Sequence, residues 1–151
     1  YCCGQVKDVS NSFIAMPYQR TRILGLQAYV LDIKGFLNWG FNFYNAQVSK
    51  YRIDPYFTTD SDGAFPAGDA FIVYPGENGE PLESLRYMAL RDGLHDLRAL
   101  QLLESLAGRD FVLGLVKEFA GMDITLASYP RNIDFLPSLR AAVNAEIAKR
   151  I

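Results

Sequence analysis

Strand-like and helix-like segments alternate along this chain, and that alternation constrains its fold more than any other feature. Two short apolar runs, Phe36 to Phe41 and Ala70 to Tyr74, read as buried strands. Before the first, Pro17 to about Leu31 reads as a helix. Pro17 suits a first turn, and Ile23, Leu26, Val30 and Leu31 recur at helical spacing. After the second run comes a Gly/Pro-rich turn through Pro81, then the strongest helical pattern. Leu90, Leu94, Leu97, Leu100, Leu103 and Leu106 step along one face, with Arg91, His95, Arg98 and Gln101 on the other and Gly108 as a stop. Arg109 to Phe119 and Pro137 to Ile151 read as further amphipathic helices, separated by a break at Tyr129-Pro130. Such an order predicts an α/β fold with crossover units on a parallel sheet. Two complete strands are too few to close a sheet. They fit the C-terminal portion of a (β/α)8 TIM barrel followed by extra C-terminal helices.

In a barrel of that kind the active site lies where the strands end. Here both strand ends are unusual. Gly35-Phe36-Leu37-Asn38-Trp39-Gly40-Phe41-Asn42-Phe43-Tyr44-Asn45 runs from a strand into a loop of aromatics and side-chain amides, and Tyr74 closes the second strand before Pro75-Gly76. An indole face stacks on the C–H face of a pyranose, and an Asn amide both donates to and accepts from its hydroxyls. Burial in a core is the commoner fate of strand aromatics. Repetition at two successive strand ends favours a sugar-binding wall instead. Trp39, Asn42 and Tyr74 are the leading candidates, with Tyr44 and Tyr1 as residues that would equally fill the barrel top. The loop from Asn42 to Gly68, broken by Pro55, Gly63 and Pro66, has a length that usually means function.

Composition narrows the partners. The 151 residues are half hydrophobic, enough for one domain with a core. A net charge of −2 and a pI near 5.4 argue against a nucleic-acid partner, which calls for a basic face. No apolar run approaches the ~20 residues of a membrane span. Cys2 and Cys3 are adjacent, a spacing that suits neither an unstrained disulfide nor a zinc site, so they read as reduced thiols. The chain opens at Tyr1 and reads as a piece of something longer.

Several short motifs then occur in one order. They are Tyr1-Cys2-Cys3-Gly4, Asn11-Ser12-Phe13-Ile14, Arg20-Thr21-Arg22-Ile23-Leu24, the Gly35–Asn42 stretch, Asp54-Pro55-Tyr56, Pro66-Ala67-Gly68-Asp69 and Val73-Tyr74-Pro75-Gly76. Glu83-Ser84-Leu85-Arg86 and Leu90-Arg91-Asp92-Gly93-Leu94-His95-Asp96-Leu97 follow. The string resembles the C-terminal part of the catalytic domain of glycoside hydrolase family 123, a group that takes in many bacterial proteins of unassigned activity. The resemblance implies that residues 1–107 form about the last three units of a TIM-barrel glycosidase domain and 108–151 a helical tail packed on it. It also implies a β-N-acetylgalactosaminidase-like, retaining mechanism assisted by the substrate. The 2-acetamido oxygen attacks the anomeric carbon to give an oxazolinium ion. An Asp steadies the acetamido nitrogen and the Glu next to it serves as acid and then base. This chain contains no Asp followed directly by Glu. The catalytic pair is therefore expected upstream of Tyr1, leaving no catalytic residue here and a segment that is inactive alone. The expected partners are a glycan and the N-terminal part of the barrel, without cofactor or metal, in a periplasmic or secreted setting. The rival readings are a non-catalytic glycan-binding or structural barrel and a glycosidase for another sugar.

Other polar residues invite blander readings. His95 lies on the polar side of the leucine helix, and Arg86 at its start suits a structural ion pair. Asp60, Asp62 and Asp69 around Gly63 lack the alternating ligand set of a calcium loop and read as a polar turn. Glu77 and Glu80 suit a surface turn, and Asp69 suits a turn or an Arg contact.

Overall fold

The structure is a computed structural model that describes residues 8–151; Tyr1, Cys2 and Cys3 lie outside the described residues. In chain order its elements are α1 (Tyr18–Arg22), α2 (Leu24–Val30), a 3-10 turn (Gln47–Ser49), β1 (Val73–Pro75), β2 (Pro81–Glu83), α3 (Leu85–Ala107), α4 (Arg109–Ala120) and α5 (Phe135–Ala148). The helix expected from Pro17 onward forms, with Pro17 just outside its first turn. Ile23 joins α1 to α2 in helical geometry, its N–H donating to the Gln19 carbonyl at 3.0 Å. Ser84 caps α3 by accepting from the Tyr87 N–H at 3.2 Å, and Gly108 (φ 85°) ends it.

The leucine face of α3 needs correction. Leu94 is 48 % and Leu106 38 % exposed, whereas Ala89, Gly93, Asp96, Ala99, Leu100 and Leu103 are buried. The cause is the close crossing of α2. A Cβ built on Gly25 would lie 1.7 Å from the Gly93 carbonyl oxygen, so the helices meet backbone to backbone. Small residues, not leucines, must line such a contact, and the buried stripe turns toward them.

The strands need correction too. Phe36 to Phe41 forms no strand, and the second strand begins later than its hydrophobic run suggests. Among the described residues the sheet is one antiparallel pair, β1 with β2, in the register Val73↔Glu83, Tyr74↔Leu82, Pro75↔Pro81. The chain doubles back through a turn closed by the Gly76 N–H on the Glu80 carbonyl at 2.7 Å, with Gly79 at φ 85°. The two apolar runs meet antiparallel, through the bridge Asn42↔Phe71. The Ile72 N–H donates to Phe41 at 2.9 Å and that of Phe43 to Ala70 at 3.0 Å. Backbone polar groups of an extended run need partners, and at this bridge the two runs satisfy some of each other's. The outcome is a mixed fold, helices with a small sheet, compatible with the α/β class.

One hydrophobic core joins the helices. Leu26 on α2, Leu103 on α3, Val112 on α4 and Val143 on α5 each retain 2 % exposure or less within it. Each such side chain contributes about 1.5–3 kcal/mol by leaving water. Polar ties cross the same interface. Asp96 accepts from Arg22 Nε at 2.7 Å and from Arg140 at 2.9 Å, linking α1, α3 and α5. The buried Gln27 amide donates to the Thr125 and Leu126 carbonyls at 2.8 and 3.1 Å.

Candidate functional site

The bridge between Asn42 and Phe71 organises the candidate wall. Residues 39–44 and 69–74 run past each other, close enough that a Cβ on Gly40 would lie 2.5 Å from the Asp69 carbonyl oxygen. Only glycine allows that approach. Arg86, near the start of α3, fixes the second of these segments. One of its guanidinium nitrogens donates to the carbonyls of Ser12 (3.0 Å), Gly68 (2.5 Å) and Phe71 (2.6 Å), while the charged carbon stands 5.5 Å from the Phe71 ring centre. Ser84 adds a hydrogen bond to the Ile72 carbonyl at 2.5 Å.

On this frame two aromatic groups form. Trp39 is half-buried, with ring centres of Phe65 at 4.7 Å and Phe43 at 5.8 Å, both tilted against it. Its indole N–H donates to the Asp69 carboxylate at 3.0 Å. The second group surrounds Phe71. Tyr74 meets the Phe71 ring edge-on at 5.2 Å, Tyr44 lies 5.8 Å from it, and Tyr56 stands 5.1 Å from Tyr74. Tyr44 donates its hydroxyl to the Val73 carbonyl at 2.9 Å, and Tyr56 to that of Pro75 at 3.0 Å. Burial, reinforced by the neighbouring Tyr56 and Tyr74, pushes the Tyr44 phenol above its ordinary pKa and keeps it a donor. Two tyrosines thus brace the strand on either side of Tyr74. Asn42 is exposed, its backbone engaged in the bridge.

Of the residues singled out from sequence, Tyr74 and Tyr44 share the Phe71 group, Asn42 faces Phe71 across the bridge, and Trp39 sits three residues before Asn42 on Asp69. Tyr1 lies outside the described residues. The structure adds Tyr56 and Phe65. Tyr56 had a signal in Asp54-Pro55-Tyr56, where the Asp54 side chain accepts from the Tyr56 N–H at 2.9 Å and turns the ring toward Tyr74. Asp69 proves to be a partner of the indole. Arg86 holds backbone carbonyls, a role that sequence spacing does not announce. His95 is exposed on α3, and Glu80 accepts from the Asn78 N–H within its surface turn. Among the described residues no helix is long and apolar enough to cross a membrane.

Comparison with known proteins adds one result. Residues 1–103 match a family described as "Glycoside hydrolase 123, catalytic domain". No curated protein matches the chain.

Proposed function

Because the chain belongs to the glycoside hydrolase 123 family by its catalytic domain, we propose that it supplies the substrate-pocket wall of a β-N-acetylgalactosaminidase-like enzyme. The substrate is a glycan. In this reading residues 1–107 are about the last three units of a TIM barrel, and 108–151 a helical tail against it. The observation that carries the proposal is the Asn42↔Phe71 bridge, inside the matched residues, which lays the segment carrying Trp39 and Asn42 beside the one carrying Tyr74. Trp39 lies under the sugar ring or the acetamido methyl. Asn42 bonds a ring hydroxyl, and Tyr74 donates to the acetamido oxygen or lines the pocket. Tyr44 holds the strand that carries Tyr74.

The chemistry is retaining and substrate-assisted. The acetamido oxygen attacks the anomeric carbon as the glycosidic bond breaks, and the leaving oxygen takes a proton from the Glu of an Asp-Glu pair. Water then opens the oxazolinium ion with the same Glu as base. This chain contains no Asp followed directly by Glu, so in this reading the pair is supplied from outside it and the segment alone is inactive. A wall that orients the acetamido group accelerates the first step by holding nucleophile and electrophile together.

The test is hydrolysis of an aryl 2-acetamido-2-deoxy-β-galactoside by the full-length protein, with the gluco epimer and a plain galactoside as controls. Turnover confined to the galacto acetamido substrate supports the proposal. Turnover of the plain galactoside contradicts it, because that sugar has no internal nucleophile. Silence on all three by a folded protein favours a non-catalytic glycan-binding barrel.

A further inference from the structure

Asp69 is a fully buried carboxylate, 0 % exposed, one oxygen of which accepts the Trp39 indole N–H at 3.0 Å. A carboxylate held away from water is costly unless its lone pairs are matched, so a mere turn role does not account for it. The backbone on either side is clamped. Gly68 stands at φ 80° with its carbonyl held by Arg86 at 2.5 Å, and the Phe71 carbonyl is held by the same group at 2.6 Å. Gly40 presses on the Asp69 carbonyl from the facing segment. The carboxylate is a fixed post. At the other end of the bond, Phe65 and Phe43 meet the indole at 59° and 56°, so neither is stacked flat upon it.

We infer that Asp69 is a positioning residue that sets the plane of the Trp39 indole and occupies its only hydrogen-bond donor. The inference rests on Trp39 belonging to the sugar wall. Its consequence is a division of labour. An indole has one N–H and no acceptor, so with that N–H committed Trp39 meets a ligand only through its π face. It recognises a C–H surface, and hydroxyl recognition falls to Asn42 and Tyr74.

The test uses the full-length protein and its affinity for N-acetylgalactosamine, with Asp69→Ala and Asp69→Asn each made beside Trp39 and beside Trp39→Phe. Asp69→Ala is expected to weaken binding about tenfold, the scale of one hydrogen bond to a charged group. Asp69→Asn keeps an acceptor oxygen and should stay within about threefold. Beside Trp39→Phe, which has no N–H to hold, Asp69→Ala should change affinity less than about twofold. An equal loss in both backgrounds overturns the inference, since Asp69 would then support the scaffold alone. A second readout is the indole N–H proton resonance, identified by its absence from Trp39→Phe. It should move upfield in Asp69→Asn, which also decides the matter should Asp69→Ala not fold; an unmoved resonance overturns the inference. A moved resonance with affinity unaffected by Trp39→Ala means that the pairing exists but the wall reading fails, and the inference falls with it.

Discussion

Arg86 holds Phe71 twice, by a 2.6 Å hydrogen bond to its carbonyl and by a charge 5.5 Å from its ring centre. The same nitrogen reaches Ser12 and Gly68, so two separate stretches of chain converge on one side chain. Arg86→Met should leave those carbonyls without their donor and cost about 3 kcal/mol or more. Chemical melts of the two proteins measure this. An unchanged midpoint would mean that the clamp does not hold the wall.

The crossing of α2 on α3 sets a second expectation. Gly25→Ala would drive a methyl into the Gly93 carbonyl and should cost about 3 kcal/mol, at the upper end of overpacking costs. Gly114, in α4, has open space where its Cβ would be, and Gly114→Ala should stabilise by about 0.5–1 kcal/mol through helix propensity. Melting shifts of opposite sign check both. A neutral Gly25→Ala would contradict the close crossing.

Alkaline pH offers a third. Burial, then the 2.7 Å hydrogen bond to Asp92, raises the Tyr18 phenol from its ordinary 10.0 to about 12. The fold thus favours the protonated phenol. Its contribution is complete below pH 10 and is lost as pH rises toward about 12, because the unfolded chain releases this proton first. Tyr18→Phe should flatten that part of the stability profile. Tyr18 is more than a third exposed, so solvent screening keeps the effect small. An identical alkaline slope in both proteins would rule the contribution out.

Two tyrosines separate bracing from recognition. Tyr44→Phe removes the donor to the Val73 carbonyl and should cost about 1 kcal/mol of stability with little change in KM for the acetamido substrate. Tyr74→Phe should do the reverse, raising KM several-fold at nearly constant stability. Kinetics and melts on both variants check the split, and the opposite pattern would reverse the two roles.

The helices were legible because their signals are local. Pro17, Gly108 and the apolar spacing mark starts and stops wherever the rest of the chain lies. The buried face of α3 was not, since it depends on Gly25 meeting Gly93 across 68 positions of sequence. Phe36 to Phe41 has a strand's composition, yet a strand is fixed by its pairing across the chain, and among the described residues the pairing beside this run is an antiparallel bridge at Asn42. Trp39, Asn42 and Tyr74 were singled out from residue type and place along the chain. Asp69, 30 residues beyond Trp39, needed the coordinates to show which ring it holds.

The most direct test of the sugar wall is the affinity of the full-length protein for N-acetylgalactosamine with Trp39 intact and with Trp39→Ala. The account predicts a loss of at least about tenfold, the worth of a stacked ring face, in a protein that still folds. That protein should melt earlier, because Trp39→Ala also removes the contacts with Phe65 and Phe43 and the N–H given to Asp69. Unchanged affinity in a folded Trp39→Ala protein would contradict it.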